Sequence, residues 1–328
     1  MIKVINCKNK NYKNKLKFFL DKRRSGKIVD TSIVSKIIKD IKINKLKALI
    51  KYEKKFSKNT RIKPTQKEIN QSIKTLDPKV KKAIDFAYNR IFKFHSKQLQ
   101  NFKDIVYKDK YKNKLEYRNV PIEKVGLYCP GNLPSTLLMS SIPAKLAKVK
   151  KIVLSTPKVN GKLNPAVLYA AKKVGISEII SCGGAQAIAS LAFIYKCNKI
   201  IGPGNKFVAE AKRQLSGKIV GTESMFAGPS EICVLADKHS DVQQVATSLI
   251  SQAEHDIDSQ CILVTKDQNL INKVRKTVTQ LIKNLPRKNI AKQSLKNNGI
   301  IVKVKTDKQI INVLNNVSSE HLELLVKN

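Results

Sequence analysis

Glu231-Ile-Cys-Val-Leu235, then Val242-Gln-Gln-Val-Ala-Thr-Ser-Leu-Ile250-Ser-Gln-Ala253, then Cys261-Ile-Leu-Val264 form the stretch that sets the fold class. The two flanking runs are short, apolar and β-branched, which suits buried strands. Between them Val242, Val245, Ala246, Leu249, Ile250 and Ala253 recur at three- and four-residue steps, the stripe of an amphipathic helix. A strand, a helix and a strand in succession predict a right-handed βαβ crossover and a parallel pair.

The same rhythm runs outward in both directions. Lys151-Ile-Val-Leu154, Glu178-Ile-Ile180, Lys199-Ile-Ile201 and Ile300-Ile-Val-Lys-Val304 read as further strands, and Asn164–Lys173, Ala185–Tyr195, Lys206–Leu215 and Leu270–Lys283 as further helices. The expected class is therefore α/β with mostly parallel sheets, and ligands are expected beyond the C-terminal strand ends. Before residue 125 the chain reads as helical and rich in lysine. Ile33, Val34, Ile37, Ile38 and Ile41, then Leu46, Leu49, Ile50 and Phe56, keep helical spacing. A second helix is expected from about Lys79 to Leu99, with Asp77 as cap and Pro78 in the first turn. His95 near its end reads as a structural histidine, and Tyr111–Pro121 as a polar connection.

The chain has 328 residues, enough for two domains because single cores seldom grow past about 250–300 residues. Its net charge of +40 would ordinarily point to a polyanion. However, the lysines are spread through every segment among asparagine and isoleucine, arginine is scarce and tryptophan is absent, so nucleic acid is not an expected partner. The six cysteines form no Cys-x-x-Cys pair, and several lie in apolar runs. They read as reduced core residues of a cytoplasmic protein. No apolar run reaches the ~18 residues of a membrane span, and none at the N-terminus is long enough for a signal peptide.

Five places carry candidate chemistry. Gln252 and His255 are three apart in the last turn of the 242–253 helix, where an amide oxygen and an imidazole nitrogen could reach one metal ion. The competing reading is a helix end whose histidine meets the C-terminal dipole. Glycine-rich turns follow or precede strands at Ser181-Cys-Gly-Gly184, Ile201-Gly-Pro-Gly-Asn205 and Phe226-Ala-Gly-Pro-Ser230. Such turns let backbone N–H groups approach a phosphate, although none matches Gly-x-Gly-x-x-Gly or a P-loop. Last, Glu320 and His321 stand side by side before an apolar run. They read either as the first turn of a helix or as an acid and an imidazole for proton transfer.

Read in order, Phe94-His95-x-x-Gln98, Val125-Gly-Leu-Tyr128-x-Pro-Gly131, Pro134-Ser-Thr-x-Leu-Met139, Gly183-Gly-Ala-Gln186, Gly202-Pro-Gly-Asn205, Ala227-Gly-Pro-Ser230-Glu231, Gln252-Ala-Glu-His255-Asp and Ser319-Glu320-His321-Leu322 resemble histidinol dehydrogenase. The resemblance runs from about residue 30 to the end. It implies a zinc enzyme that oxidises L-histidinol to L-histidine with NAD by way of the aldehyde. Motif by motif, it implies that Gln252 and His255 bind zinc and substrate, that Ser230 contacts histidinol, and that Tyr128, Gln186 and Asn205 contact NAD. His321 would take the alcohol proton and touch substrate, and Glu320 would activate water.

The resemblance also implies two Rossmann-like domains with a helical N-terminal segment, and a homodimer. Residues 125–230 would be an inserted domain, and residues 1–124 with 231–328 the larger one. Family members continue beyond the position matching His321 into a segment with an aspartate and a histidine that complete the zinc shell. The chain is therefore expected to be C-terminally truncated relative to the family. The alternative expectation is an inactive remnant that binds nucleotide or protein only. Asn132-Leu133 replace a longer glycine-containing loop, Ser224-Met225 an Asp-Met pair and Ile257 a proline.

Overall fold

The computed structural model describes residues 2–24, 31–99, 102–223 and 230–327. The turn at 226–229 and the Ser224-Met225 pair lie outside the described residues. The chain divides into two compact units, Met1–Ile28 with Gly228–Asn328, and Val29–Ala227.

The first unit carries β1 (Lys3–Asn6), α1 (Tyr12–Arg24), β9 (Glu231–Ala236), α9 (Val242–Ala253), β10 (Gln260–Thr265), α10 (Gln268–Ile282), α11 (Lys288–Asn298), β11 (Gly299–Lys303), α12 (Asp307–Val317) and β12 (His321–Leu325). Its five strands lie in the order β1-β11-β10-β9-β12 and every pair is parallel. Strand alternation sorts the core onto two faces. Ile232, Val234, Cys261 and Leu263 pack with α9, α10 and α11, while Cys233, Ile262 and Val264 pack with Leu16, Leu20, Val313 and Val317 of α1 and α12. All of β10 is buried, as a central parallel strand must be. Side-chain caps from Asp241, Asp267 and Thr306 start α9, α10 and α12.

The second unit carries α2 (Thr31–Ser57), α3 (Gln66–Lys74), α4 (Pro78–Gln98), β2 (Ile105–Lys108), β3 (Lys114–Tyr117), β4 (Lys124–Tyr128), α5 (Pro134–Leu146), β5 (Lys151–Ser155), α6 (Pro165–Val174), β6 (Glu178–Ile180), α7 (Gly184–Phe193), β7 (Lys199–Ile201), α8 (Lys206–Leu215) and β8 (Gly221–Thr222). The parallel sheet has the order β6-β5-β4-β7-β8. In chain order this is 3-2-1-4-5, the doubly wound arrangement, with its switch point between β4 and β7. Val125, Leu127 and Cys129 face α5 and α6, while Tyr128 faces the cluster of α2, α7 and α8.

Both sheets are wholly parallel with helices between the strands, as the sequence predicts. The unit boundary differs from the expected one. Residues 31–124 belong with the second sheet, because Val34, Ile37, Ile41, Ala48, Leu49 and Tyr52 of α2 pack against Ala185, Ile188, Leu191 and Val208 of α7 and α8, and Ile69 and Ile84 against the α5–α6 side. Only residues 1–28 join the first unit, where β1 extends the sheet beside β11. Helix α4 starts as expected, with Asp77 capping and Pro78 in the first turn. The stretch read as a polar connection instead contains an antiparallel hairpin, β2–β3. Its turn is held by Asp109 Oδ1, which accepts from the backbone N–H groups of Tyr111 and Asn113, each at 2.8 Å. His95 Nδ1 lies 2.6 Å from Gln98 Oε1, consistent with a structural role.

Candidate functional site

In the second unit the loops after β4, β6 and β7 meet at the C-terminal edge of the sheet. Tyr128 ends β4, is buried, and accepts from Gly184 N at 3.4 Å; burial pushes its hydroxyl up to about 12. Gly202, after β7, has φ +126°, and a Cβ there would lie 1.9 Å from the Tyr128 carbonyl oxygen. Two neighbouring parallel strands end here in backbone-to-backbone contact that only glycine permits. Asn205 caps α8, its Oδ1 accepting from Phe207 N at 3.1 Å and Val208 N at 3.2 Å. Beneath this turn Lys212, 2% exposed, donates to the Gly202 carbonyl at 2.9 Å and pairs with Glu223.

The turn after β6 corrects an expectation. Its glycine N–H groups, read as donors for a phosphate, are engaged within the protein. Gly183 N donates to Glu53 Oε1 at 3.0 Å and Gly184 N faces the Tyr128 hydroxyl. Gln186, 3% exposed, donates from Nε2 to the same Glu53 oxygen at 2.8 Å. Glu53 sits on α2 and is 1% exposed. Neither Glu53 nor Lys212 was singled out from the sequence, although a signal existed. Each falls four residues after a buried apolar residue, Leu49 and Val208, so each puts a charge on the buried stripe of its helix.

Burial pushes the Glu53 carboxyl up, against the pull of its bonds from Gly183 and Gln186. The folded chain therefore holds that proton more tightly than the unfolded chain. The group's contribution to stability is full below the ordinary carboxylate range and is lost as pH rises through the raised value. Glu53→Gln keeps the accepting oxygen and drops the charge, and the Ser57 hydroxyl beside it can turn to accept from the new amide. Its melting temperature relative to the native chain is expected to rise as pH goes from about 4 to about 8. Thermal melts across that range check this, and a difference that stays flat would mean Glu53 titrates as it does in water.

The remaining candidates lie in the first unit, at the N-terminal edge of its sheet. Ser230 directly precedes β9, and its carbonyl accepts from Gln260 N at 3.0 Å. Gln252 lies in the last turn of α9, 6% exposed with no partner for its Nε2, whereas His255 lies two residues past the helix end, exposed in the following turn, so the two do not share the helical turn that their spacing predicts. The exposed run after Glu320 is not a helix. His321 opens β12, pairs in register with Ile232, and stands 3.9 Å from the Glu320 carboxylate. Alternation puts His321 on the face of Leu325, which packs with the α9 side of the core. Ser230, Gln252, His255 and His321 thus share one edge of one sheet, whereas Tyr128, Gln186 and Asn205 share the edge of the other.

His255 is a donor of the kind zinc accepts and Gln252 offers an amide oxygen, a rarer ligand; the unpartnered buried atom of Gln252 is its Nε2, a hydrogen-bond donor that does not itself bind a metal. Among the described residues no group of three His, Cys, Asp or Glu side chains could hold a metal ion. The present donors therefore fit half a zinc shell.

A doubly wound sheet with its loops gathered at a switch point in one unit, and in the other unit a parallel sheet bearing an exposed acid and imidazole, is the layout of an α/β enzyme. Residues 22–328 match the family described as histidinol dehydrogenase. The histidinol dehydrogenase of Pelagibacter ubique (strain HTCC1062) is 52% identical over 335 residues, covering 100% of this chain and 78% of that protein. That of Campylobacter jejuni (strain RM1221) is 44% identical, covering 93% of this chain and 72% of that protein. The crystal structure of histidinol dehydrogenase from Elizabethkingia anophelis superposes with a TM-score of 0.88 at 35% identity, covering 100% of this chain and 76% of that one. The chain belongs to the histidinol dehydrogenase family, oxidoreductases that oxidise histidinol in histidine biosynthesis.

Proposed function

We propose that this chain oxidises L-histidinol to L-histidine through the aldehyde, with NAD as hydride acceptor and zinc held in part by Gln252 and His255. The observation that carries the reading is the family match over residues 22–328. The switch-point crevice with Tyr128, Gln186 and Asn205 takes NAD, whose nicotinamide accepts one hydride in each of the two oxidations. Ser230, Gln252, His255 and His321 contact histidinol. His321 takes the hydroxyl proton as the carbon is oxidised, a task suited to an imidazole near neutral pH. Glu320 removes a proton from the water that adds to the aldehyde, so the second oxidation yields the carboxylate. Zinc, when bound, would orient and polarise the substrate; its remaining ligands are not among the described residues, so no proton step is assigned to it.

We further propose a cytoplasmic homodimer that does not bind nucleic acid. All six cysteines are free and buried, which suits a reducing compartment. Among the described residues no helix is long and apolar enough to cross a membrane. The β2–β3 hairpin leaves Ile105, Val106, Tyr107, Leu115 and Tyr117 exposed, and two strands alone are marginally stable, which suits cover by a second subunit.

The test is NADH absorbance from the purified chain given histidinol, NAD and zinc, repeated after chelation. Histidinol-dependent NADH that is lost on chelation and restored by zinc is expected. A folded chain that binds NAD and turns over no histidinol would favour the second reading, a binding-only protein. The half-complete donor set among the described residues is the observation on that side.

A further inference from the structure

We propose that Glu53 is a positioning residue for the dinucleotide site, holding Gln186 and the Gly183-Gly184 turn in the geometry that receives the cofactor. The inference rests on the reading of the β4–β7 crevice as the NAD site.

The first N–H groups of a helix have no intrahelical partner, and α7 begins at a glycine that offers no capping side chain. No other residue fits there. A Cβ on Gly183 would lie 2.9 Å from Pro157 Cβ, and Gly184 has φ +64° with its missing Cβ 2.8 Å from Gln186 Oε1. The acceptor therefore has to come from elsewhere in the chain, and α2 supplies it. One oxygen, Glu53 Oε1, takes Gly183 N at 3.0 Å and Gln186 Nε2 at 2.8 Å.

Gln186 is thereby held through its nitrogen by Glu53, while its Oε1 lies 2.8 Å from where a Cβ on Gly184 would stand. The turn in turn presents Gly184 N to the Tyr128 hydroxyl. Glu53 and Gln186 are both buried, where charge-assisted bonds are strong and an abandoned donor is costly. A cap needed for helix stability alone would require only the bond to Gly183. The second bond, to a side chain of the cofactor edge, is what a positioning role requires. Glu53, itself 1% exposed, would act through Gln186 and the turn rather than by touching the cofactor.

The test uses the full chain with steady-state kinetics and direct NAD titration. Glu53→Leu is expected to weaken NAD about ten- to a hundredfold by leaving two buried donors unmatched, while the KM for histidinol changes less than about twofold. Glu53→Gln, which keeps the carbonyl oxygen, is expected to restore NAD binding to within about threefold. Equal effects on both substrates, or Glu53→Gln no better than Glu53→Leu, would overturn the proposal.

Should Glu53→Leu not fold, Gln186→Glu sets two buried carboxyls against each other and is expected to weaken NAD binding, with recovery on adding Glu53→Gln. Absence of recovery overturns the proposal. A native chain that binds no NAD would instead bring down the reading of the crevice, and the proposal with it, an outcome visible before any variant is made.

Discussion

Gly202→Ala is expected to destabilise the unit spanning Val29–Ala227 by about 3–5 kcal/mol, a large share of the ~5–15 kcal/mol that holds a domain together. Two independent penalties combine at this position. At φ +126° an L side chain is strained whatever surrounds it, and the new Cβ would lie 1.9 Å from Tyr128 O, 2.9 Å from Tyr128 C and 3.2 Å from Tyr128 N. All three atoms belong to the backbone of β4, so no side-chain rotation relieves the overlap. The ends of β4 and β7 would have to part, disturbing the switch point. Gly217→Ala provides the control, since φ there is +72° but nothing lies within 4 Å of the added Cβ. It is expected to cost only the backbone term, about 1 kcal/mol. Urea unfolding of both variants measures the difference. Equal midpoints would mean that the close approach of β7 to β4 does not exist in solution.

His321→Asn is expected to lower kcat by about 100- to 10,000-fold, the usual contribution of a positioned proton-transfer group. Its effect on stability should be within about 0.5 kcal/mol, because the side chain is 59% exposed at the start of an edge strand and its backbone pairing with β9 is kept. NAD affinity should be unchanged, since the crevice assigned to NAD belongs to the other sheet. Steady-state kinetics with a thermal melt and an NAD titration separate these quantities. A kcat within about threefold of native would remove His321 from the proton-transfer role.

The two effects read out different parts of the protein. The glycine acts through backbone packing and the histidine through chemistry, so a variant of one should leave the signature of the other intact. A Gly202→Ala chain stabilised by low temperature should still show the His321-dependent step once NAD is saturating.

Much of this was legible in local patterning. Buried parallel strands are continuous apolar runs, and the crossover helices show apolar stripes, so β5, β6, β7, β9, β10 and β11 and the helices α6 to α10 could be read from spacing alone. Asp77-Pro78 announced the start of α4 for an equally local reason. The short β1, by contrast, carries too few residues to show a period, and the exposed β2–β3 hairpin has no buried face to pattern it. The candidate residues Gln252, His255, Glu320 and His321 were visible as residue types in motifs. Their common sheet edge was not, because it depends on which strands become neighbours.

By itself, then, the sequence determined the α/β class, the parallel sheets and the family, since each rests on periodicity or on an ordered set of short motifs. Only the tertiary structure decided that residues 31–124 pack with the second sheet, that the Gly183-Gly184 donors are already satisfied, and that Glu53 and Lys212 lie buried beneath the turns of the switch point. The physical reason is range. A helix stripe states which face is buried, but not against what. A charge on that stripe becomes interpretable only when the partner, 133 residues away in the case of Glu53 and Gln186, is brought within hydrogen-bonding distance.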